Sequence, residues 1–323
     1  MTNRERVIAT LNGKDVDRCP QVEWAGWWDQ TLDRWHKEGL EKDLSTDKIF
    51  ELFNIDPHYQ LWPSIYKPGF SLDKFITCEE DYEEILPTLY SNEVLENLRK
   101  NLLEIKAKHD SGENFVWFTL EGYFWFPRKL FGIEEHLFAF YDHADLMKRI
   151  NEDLCNYHIK VIDTIFDVLT PEFMTFAEDM SYNLGPMISK ELYDEFLAPY
   201  YKRIVPLLKE KGTKAIIDTD GNIEQLVPWF EETGLEGVLP LERQAGTDIN
   251  SIRENFPEFI MIGGFDKTVM HKGEEAIRKE FERILPVIKS GRYIPSVDHQ
   301  TPPEVSMEDY KLYLKLMKEY TEK

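Results

Sequence analysis

An α/β fold, a single-domain (β/α)8 barrel of the TIM type spanning residues 1–323, is what this chain predicts. Three observations lead there. The length of 323 residues suits one large domain. About eight short apolar runs occur along it, most of them followed by a stretch with helical spacing of apolar residues. No GxGxxG phosphate loop accompanies them, which argues against the alternative of an open, doubly wound sheet that binds a dinucleotide.

The elements are read in chain order. Thr2 caps a helix over Asn3–Leu11, which Asn12-Gly13 ends. Pro20–Ala25 reads as the first strand and leads through Gly26, Trp27 and Trp28 into an amphipathic helix to Lys37. A short helix covers Asp47–Phe53. Residues 55–72 carry three prolines and several aromatics and read as an irregular loop or edge strands. Lys74–Cys78 alternates as a strand does, and Asn92–His109 is a polar helix. Phe115–Leu120 is a buried strand ending at Glu121-Gly122, followed by helices at Trp125–Leu130 and Ile133–Phe140. Ala144–Leu169 is the longest helix, and Phe173–Ala177 is a strand that stops at Glu178-Asp179. Ser189 caps a helix to Lys211.

Ala215–Ile217 is a strand that halts at Asp218-Thr219-Asp220, with a helix expected directly after Gly221-Asn222. Gly237–Leu241 is a strand ending on Glu242, and Ser251–Asn255 a short helix. Phe259–Ile262 and Tyr293–Val297 are the last strands, ending near Asp266-Lys267 and at Asp298-His299. The helix Glu274–Ser290 lies between them and Ser306–Tyr320 closes the chain.

Composition narrows the function. With 38 Lys and Arg against 60 Asp and Glu, the formal charge is −22, so nucleic acid and anionic membrane surfaces are poor partners. No apolar run is long enough to span a bilayer, and the charged N-terminus is unlike a signal peptide. Three scattered cysteines without a CxxC pair fit a reducing cytoplasm.

In a parallel barrel the carboxyl ends of the strands carry the chemistry. That rim would gather Glu121, Glu178, Asp179, Asp218, Asp220, Glu242, Asp266, Asp298 and His299, with Arg243 and Lys267 as nearby cations. Crowded carboxylates must take protons, pair with cations or bind a metal. Asp218 and Asp220, two residues apart, point the same way from a strand end, although either alone equally suits an Asx-turn or a helix cap. A lone His299 is more often packed than ligating. Two aspartates and a histidine would hold a divalent metal with an open position; without metal, an acid pair sharing a proton would serve as acid and base. Glu178, Asp220 and Glu242 are the candidate catalytic groups. Trp24, Trp27 and Trp28 after the first strand, with Glu121 and Asp266 at the rim, are the candidate substrate contacts. Packing is the commoner use of such a tryptophan cluster.

Five segments in order resemble the uroporphyrinogen decarboxylase superfamily: RERVIATLNGKDVDRCP, AEDMSYNLGPMISKELYDEFLAPYYKRI, DTDGNIEQLVPWFEETGLEGVLPLERQAGTDI, IGGFDK and YIPSVDHQTPPEVSMEDYKLYL. The resemblance runs nearly the length of the chain and implies a (β/α)8 barrel. It includes tetrapyrrole decarboxylases and methyltransferases that serve corrinoid proteins or thiols. The decarboxylases' arginine-rich segment after the first strand is replaced here by EWAGWWDQTLDRWHKEGL, which disfavours a polyanionic porphyrinogen. Asp56 is the nearest counterpart of their substrate-binding aspartate. In the corrinoid methyltransferases zinc sits on a His-x-Cys pair and a later cysteine; the matching positions here are Asp218, Asp220 and His299, with the thiolates gone. The resemblance therefore implies a methyltransferase, with zinc on those three residues and Glu178 or Glu242 as a further ligand or base. It would move a methyl group from a small, possibly methoxyaromatic substrate to a corrinoid carried by a partner protein. The alternative is a metal-free decarboxylase of tetrapyrrole biosynthesis; a non-catalytic carrier is a third reading. A homodimer is compatible with the resemblance.

Overall fold

A computed structural model describes residues 1–322 of the chain. Nine strands are present: β1 (His58–Leu61), β2 (Phe115–Glu121), β3 (Phe173–Ala177), β4 (Ser181–Tyr182), β5 (Gly185–Pro186), β6 (Lys214–Thr219), β7 (Gly237–Pro240), β8 (Ile260–Phe265) and β9 (Tyr293–Val297). Seven of them form one sheet in the order β1-β2-β3-β6-β7-β8-β9, and every pairing in it is parallel. The short strands β4 and β5 form a separate antiparallel hairpin just after β3. Helices connect the parallel strands, as parallel pairing requires.

Alternation along the strands layers the inside of this sheet. Side chains two residues apart share a face. Phe115 and Trp117 of β2, Phe173 of β3, Ile216 of β6, Leu239 of β7, Ile260 and Ile262 of β8 and Ile294 of β9 form one buried apolar cluster. Val7 and Leu11 join it from the first helix, Asn3–Leu11. Thr2 starts that helix with a capping box shared with Glu5. The amino half of the interior is therefore filled. Above the cluster lies a polar layer in which Gln60 donates to Thr119 at 2.9 Å and Thr119 bonds Thr175 at 2.8 Å. Above that the interior opens. A larger second cluster packs the outer face of the sheet against the helices.

Several expected elements differ. Pro20–Ala25 is not a regular strand, yet it lies against both edges of the sheet. Gln21 accepts from Asp56 N at 2.9 Å beside β1, and Ser296 of β9 donates to Val22 O at 2.8 Å. Trp27 makes an isolated parallel bridge to Thr301. Residues 74–78 are irregular, whereas 55–72, read as an irregular loop or edge strands, contains the edge strand β1. The helix expected from Ser189 to Lys211 is broken at Leu197 into Lys190–Phe196 and Ala198–Lys211, next to Pro199, which cannot donate its backbone nitrogen. After Gly221-Asn222 the helix waits until Val227.

Asp56 is tied to structure at the amino end of β1, far from the role its resemblance suggested. Its carboxylate takes Arg18 at 2.9 and 2.5 Å and the backbone nitrogen of Gln21 at 3.0 Å. The pair anchors the segment that leads past both sheet edges. Asp56→Ala takes the carboxylate from the half-buried Arg18 guanidinium and from one part-buried N–H, so we expect a loss of about 3 kcal/mol in urea unfolding. A change below about 0.5 kcal/mol would contradict that anchoring role.

Candidate active site

A cavity of about 360 Å³ opens at the carboxyl ends of the parallel strands. Trp24, Trp62 and Trp125 form apolar walls, and Asp179, Asp218, Asp220 and His299 are its charged or titratable lining, with Glu178 behind them. Gln60 and Gln300 add amides. Strand alternation explains the floor. Asp218 continues the inward face that Ile216 begins on β6, and Asp220 follows two residues on. Trp62 continues the face of His58 and Gln60 on β1.

The acids differ in how they are held. Glu178 is fully buried. Its Oε1 accepts from Tyr123 N at 2.7 Å and from the Tyr201 hydroxyl, and its Oε2 accepts from Phe124 N at 2.7 Å and Trp125 N at 3.2 Å. Burial pushes the carboxyl up to about 7, against the pull of those four donors. Gly122 lets this happen, because a Cβ there would overlap the Glu178 carboxylate and Ala177 O. Glu178 thus fixes the loop that presents Trp125 while it lines the cavity.

Asp179 sits at a positive φ of 43°, a conformation Asp tolerates better than most residues. Arg128 bonds both its carbonyl and its carboxylate at 3.3 Å and lies over the Trp125 ring, 4.9 Å from the centroid. Burial, with Glu242 nearby, raises the Asp179 carboxyl.

Asp218 has no hydrogen bond or ion pair on its carboxylate among the described residues, and burial beside Asp220 and Asp179 pushes its proton affinity well above the ordinary range. Asp220 is pushed to about 7 by burial and by Glu242 and Asp179, with Lys267 opposing. His299 Nε2 lies 3.6 Å from Asp220 Oδ2. Burial and the Lys267 charge hold the His299 imidazole below its ordinary value. Both partners therefore favour neutral forms, and this contact is a proton-bearing pair more than a salt bridge.

The remaining acids are used for structure. Asp298 is fully buried, accepts from Arg243 N at 3.0 Å and Lys267 N at 3.2 Å, and faces Lys267 Nζ at 3.3 Å. Glu242, expected to be catalytic, instead accepts from Gly221 N at 3.0 Å and shapes the loop below Asp220. Glu121, an expected substrate contact, is paired with Lys129 at 2.9 Å. Asp266 caps the turn Lys267–Lys272 through Thr268 N and takes Gln244. Glu242, Glu121 and Asp266 do not line the cavity.

Among the tryptophans expected to meet substrate, only Trp24 reaches the cavity. Its Nε1 donates to Val297 O at 2.9 Å, and its ring stands edge-on to His299. Trp27 packs among Trp35, Phe50, Phe53 and Tyr310, and Trp28 precedes the helix Asp29–Lys37 at the surface. Trp62, Trp125, Gln60, Gln300 and Arg128 were not anticipated. Gln60 and Trp62 stand in the stretch read as an irregular loop or edge strands, and Trp125 opens the helix expected over Trp125–Leu130.

The zinc expectation meets the donor geometry here. Asp218, Asp220 and His299 face the same cavity. Among the described residues, however, no three His, Cys, Asp or Glu side chains are grouped to hold one ion. The thiolates that suit zinc are absent from these positions. As arranged, the donors do not fit the metal, and no chemistry is routed through it.

A parallel sheet with an acid-lined cavity at its carboxyl ends defines a class of α/β proteins whose sites stand on strand-end loops. Residues 139–320 match the family model described as uroporphyrinogen decarboxylase (URO-D), and the chain belongs to that family. Over 80 residues it is 29% identical to the methylcobamide:CoM methyltransferase MtbA of Methanosarcina acetivorans, a match covering 25% of this chain and 23% of that protein. The crystal structure of Dispersin B superposes loosely, with a TM-score of 0.36 and 11% identity over 69% of this chain and 77% of that one. No helix among the described residues is long and apolar enough to cross a membrane.

The raised carboxyls set a pH dependence. Asp220 and Asp298 move from an ordinary 3.8 to about 7 and about 6 in the folded chain. The native state then keeps protons that the unfolded chain has lost, so their contribution to stability is full in acid and disappears as pH rises through those values. We expect the urea midpoint to fall between about pH 4 and pH 7, and Asp220→Asn to flatten the fall. A midpoint that climbs across this window would contradict the assignment.

Proposed function

We propose that this chain is a methyltransferase that takes a methyl group from a small substrate bound in the tryptophan-walled cavity. The cavity itself supports this best: it is near the lower end of the size range of small-molecule pockets and holds neutral-leaning acids at its floor. In this reading the sheet is a closed (β/α)8 barrel, with residues 20–25 in the eighth position between β9 and β1. The contacts of Gln21 and Val22 to the two edges favour that closure.

Removing a methyl group breaks its bond to oxygen or nitrogen and leaves the electron pair on that atom. Nitrogen leaving from a methylated ammonium departs as the neutral amine, whereas a leaving oxygen then needs a proton. Asp220, carrying one up to about pH 7 and backed by His299 at 3.6 Å, is placed to give it. Trp24, Trp62 and Trp125 exclude water and hold the apolar part of the substrate. Asp218, held toward its protonated form by burial beside Asp220 and Asp179, lies beneath it. A corrinoid on a partner protein would supply the nucleophile that accepts the methyl group. The rim suits such a partner: Trp62 is 52% exposed, and Tyr182 and Leu184 on the β4–β5 hairpin are 47% and 78% exposed. The similarity to a methylcobamide-using enzyme points the same way. Decarboxylation of a porphyrinogen is less well served. The Arg128 guanidinium beside the cavity is already committed to Asp179, and a polycarboxylate would meet the acids unpaired.

The test is methyl transfer by the full-length protein from candidate methyl ethers and N-methyl compounds to a corrinoid, followed by its absorbance. Asp220→Asn should lower turnover of a methyl ether by about 100-fold, and that turnover should fall as pH rises above about 7, where Asp220 loses its proton. Release of carbon dioxide from uroporphyrinogen with no methyl transfer would overturn the proposal.

A further inference from the structure

We propose that the ligand of this cavity is a methylated ammonium ion, a positive charge spread over N-methyl groups. This rests on the methyltransferase reading only in taking the same cavity as the substrate site. The carrying observation is the combination of walls and floor. Three indoles, Trp24, Trp62 and Trp125, line one small cavity, and no lysine or arginine is among the described residues that line it. Indole is the side chain whose face most favours a cation. One face of Trp125 already bears a cation in this structure, the Arg128 guanidinium at 4.9 Å.

The local charges are not balanced. Arg128 answers Asp179. Lys267 is turned to Asp298 at 3.3 Å and to Glu242 at 3.9 Å. Glu178 is saturated by its four donors. That leaves Asp218, which faces the cavity with no hydrogen-bond or ion-pair partner among the described residues, and Asp220, whose neighbour is His299. A neutral methoxyarene would use the indoles and gain at most one hydrogen bond from the protonated Asp218. A carboxylate or a phosphate would raise the proton affinities of these acids further, whereas a cation lowers them and pairs with the Asp218 carboxylate that its arrival ionises. A diffuse cation without N–H groups suits both surfaces, since it asks for charge and polarisable contact and for no hydrogen-bond acceptor.

The probe pair is choline and dimethylbutanol, its uncharged isostere with carbon in place of nitrogen, titrated calorimetrically into the full-length protein at low salt. Choline should bind at least about tenfold tighter than the isostere. Trp62→Ala, a change at a half-exposed position, should weaken choline by about tenfold without unfolding the chain. Asp218→Asn should weaken choline and leave dimethylbutanol unchanged. Equal affinities for the two probes, or choline binding that Asp218→Asn does not alter, overturns the inference. The two readings fail separately. Methyl transfer from a neutral methyl ether, with no preference for choline, sinks this inference and leaves a methyltransferase. Selective choline binding, with no methyl transfer from any donor, supports the cation site and sinks the methyltransferase.

Discussion

The inward face of the parallel sheet can be apolar at one end and polar at the other because consecutive inward residues are stacked in layers, and the rest of the molecule follows from how those layers are filled. Phe115, Trp117, Phe173, Ile216, Leu239, Ile262 and Ile294 close the amino half together with Val7 and Leu11. Close packing there leaves no room for a ligand. The Gln60, Thr119 and Thr175 layer then makes the transition. Asp218, Asp220, Trp24 and Trp62 therefore stand at the one end of the interior that stays open.

Above that floor, similar carboxylates have been given opposite tasks by the donors within reach. Glu178 meets three backbone N–H groups and a tyrosine hydroxyl and becomes a scaffold for the loop bearing Trp125. Asp298 and Glu242 do the same for the loops at Arg243, Lys267 and Gly221. Asp218 and Asp220 meet almost no donors, and their proton affinities are raised. Buried acids are costly in proportion to how poorly they are satisfied, and the cost here is concentrated at the cavity. Asp218, Asp220 and His299 face one cavity, yet among the described residues no three such side chains are gathered around a point.

How much of this could be read from residues alone varies with the range of the interaction. Local pattern carried most elements: Asn3–Leu11 with its capping box, the apolar runs of β2, β3, β6, β7 and β9, and the recurrence of an acid where most of the strands stop. Those signals lie within a few residues of each other, so the sequence determined the α/β class, the parallel strands and the set of acids at their carboxyl ends. It also determined that Asp218, Asp220, His299 and Trp24 were worth watching.

Only tertiary structure decided which of those acids face the cavity. Glu178 is disarmed by Tyr201 and by the chain at 123–125, Glu121 by Lys129, and Asp56 by Arg18, partners that no spacing rule singles out. The same holds for Trp62 and Trp125, whose place in the cavity depends on neighbouring strands and on the Glu178 clamp, and for Trp27, which the aromatic core claimed instead. Hydrogen-bond partners and burial are set by approach through space, and residues distant in the chain carry no local mark of that approach.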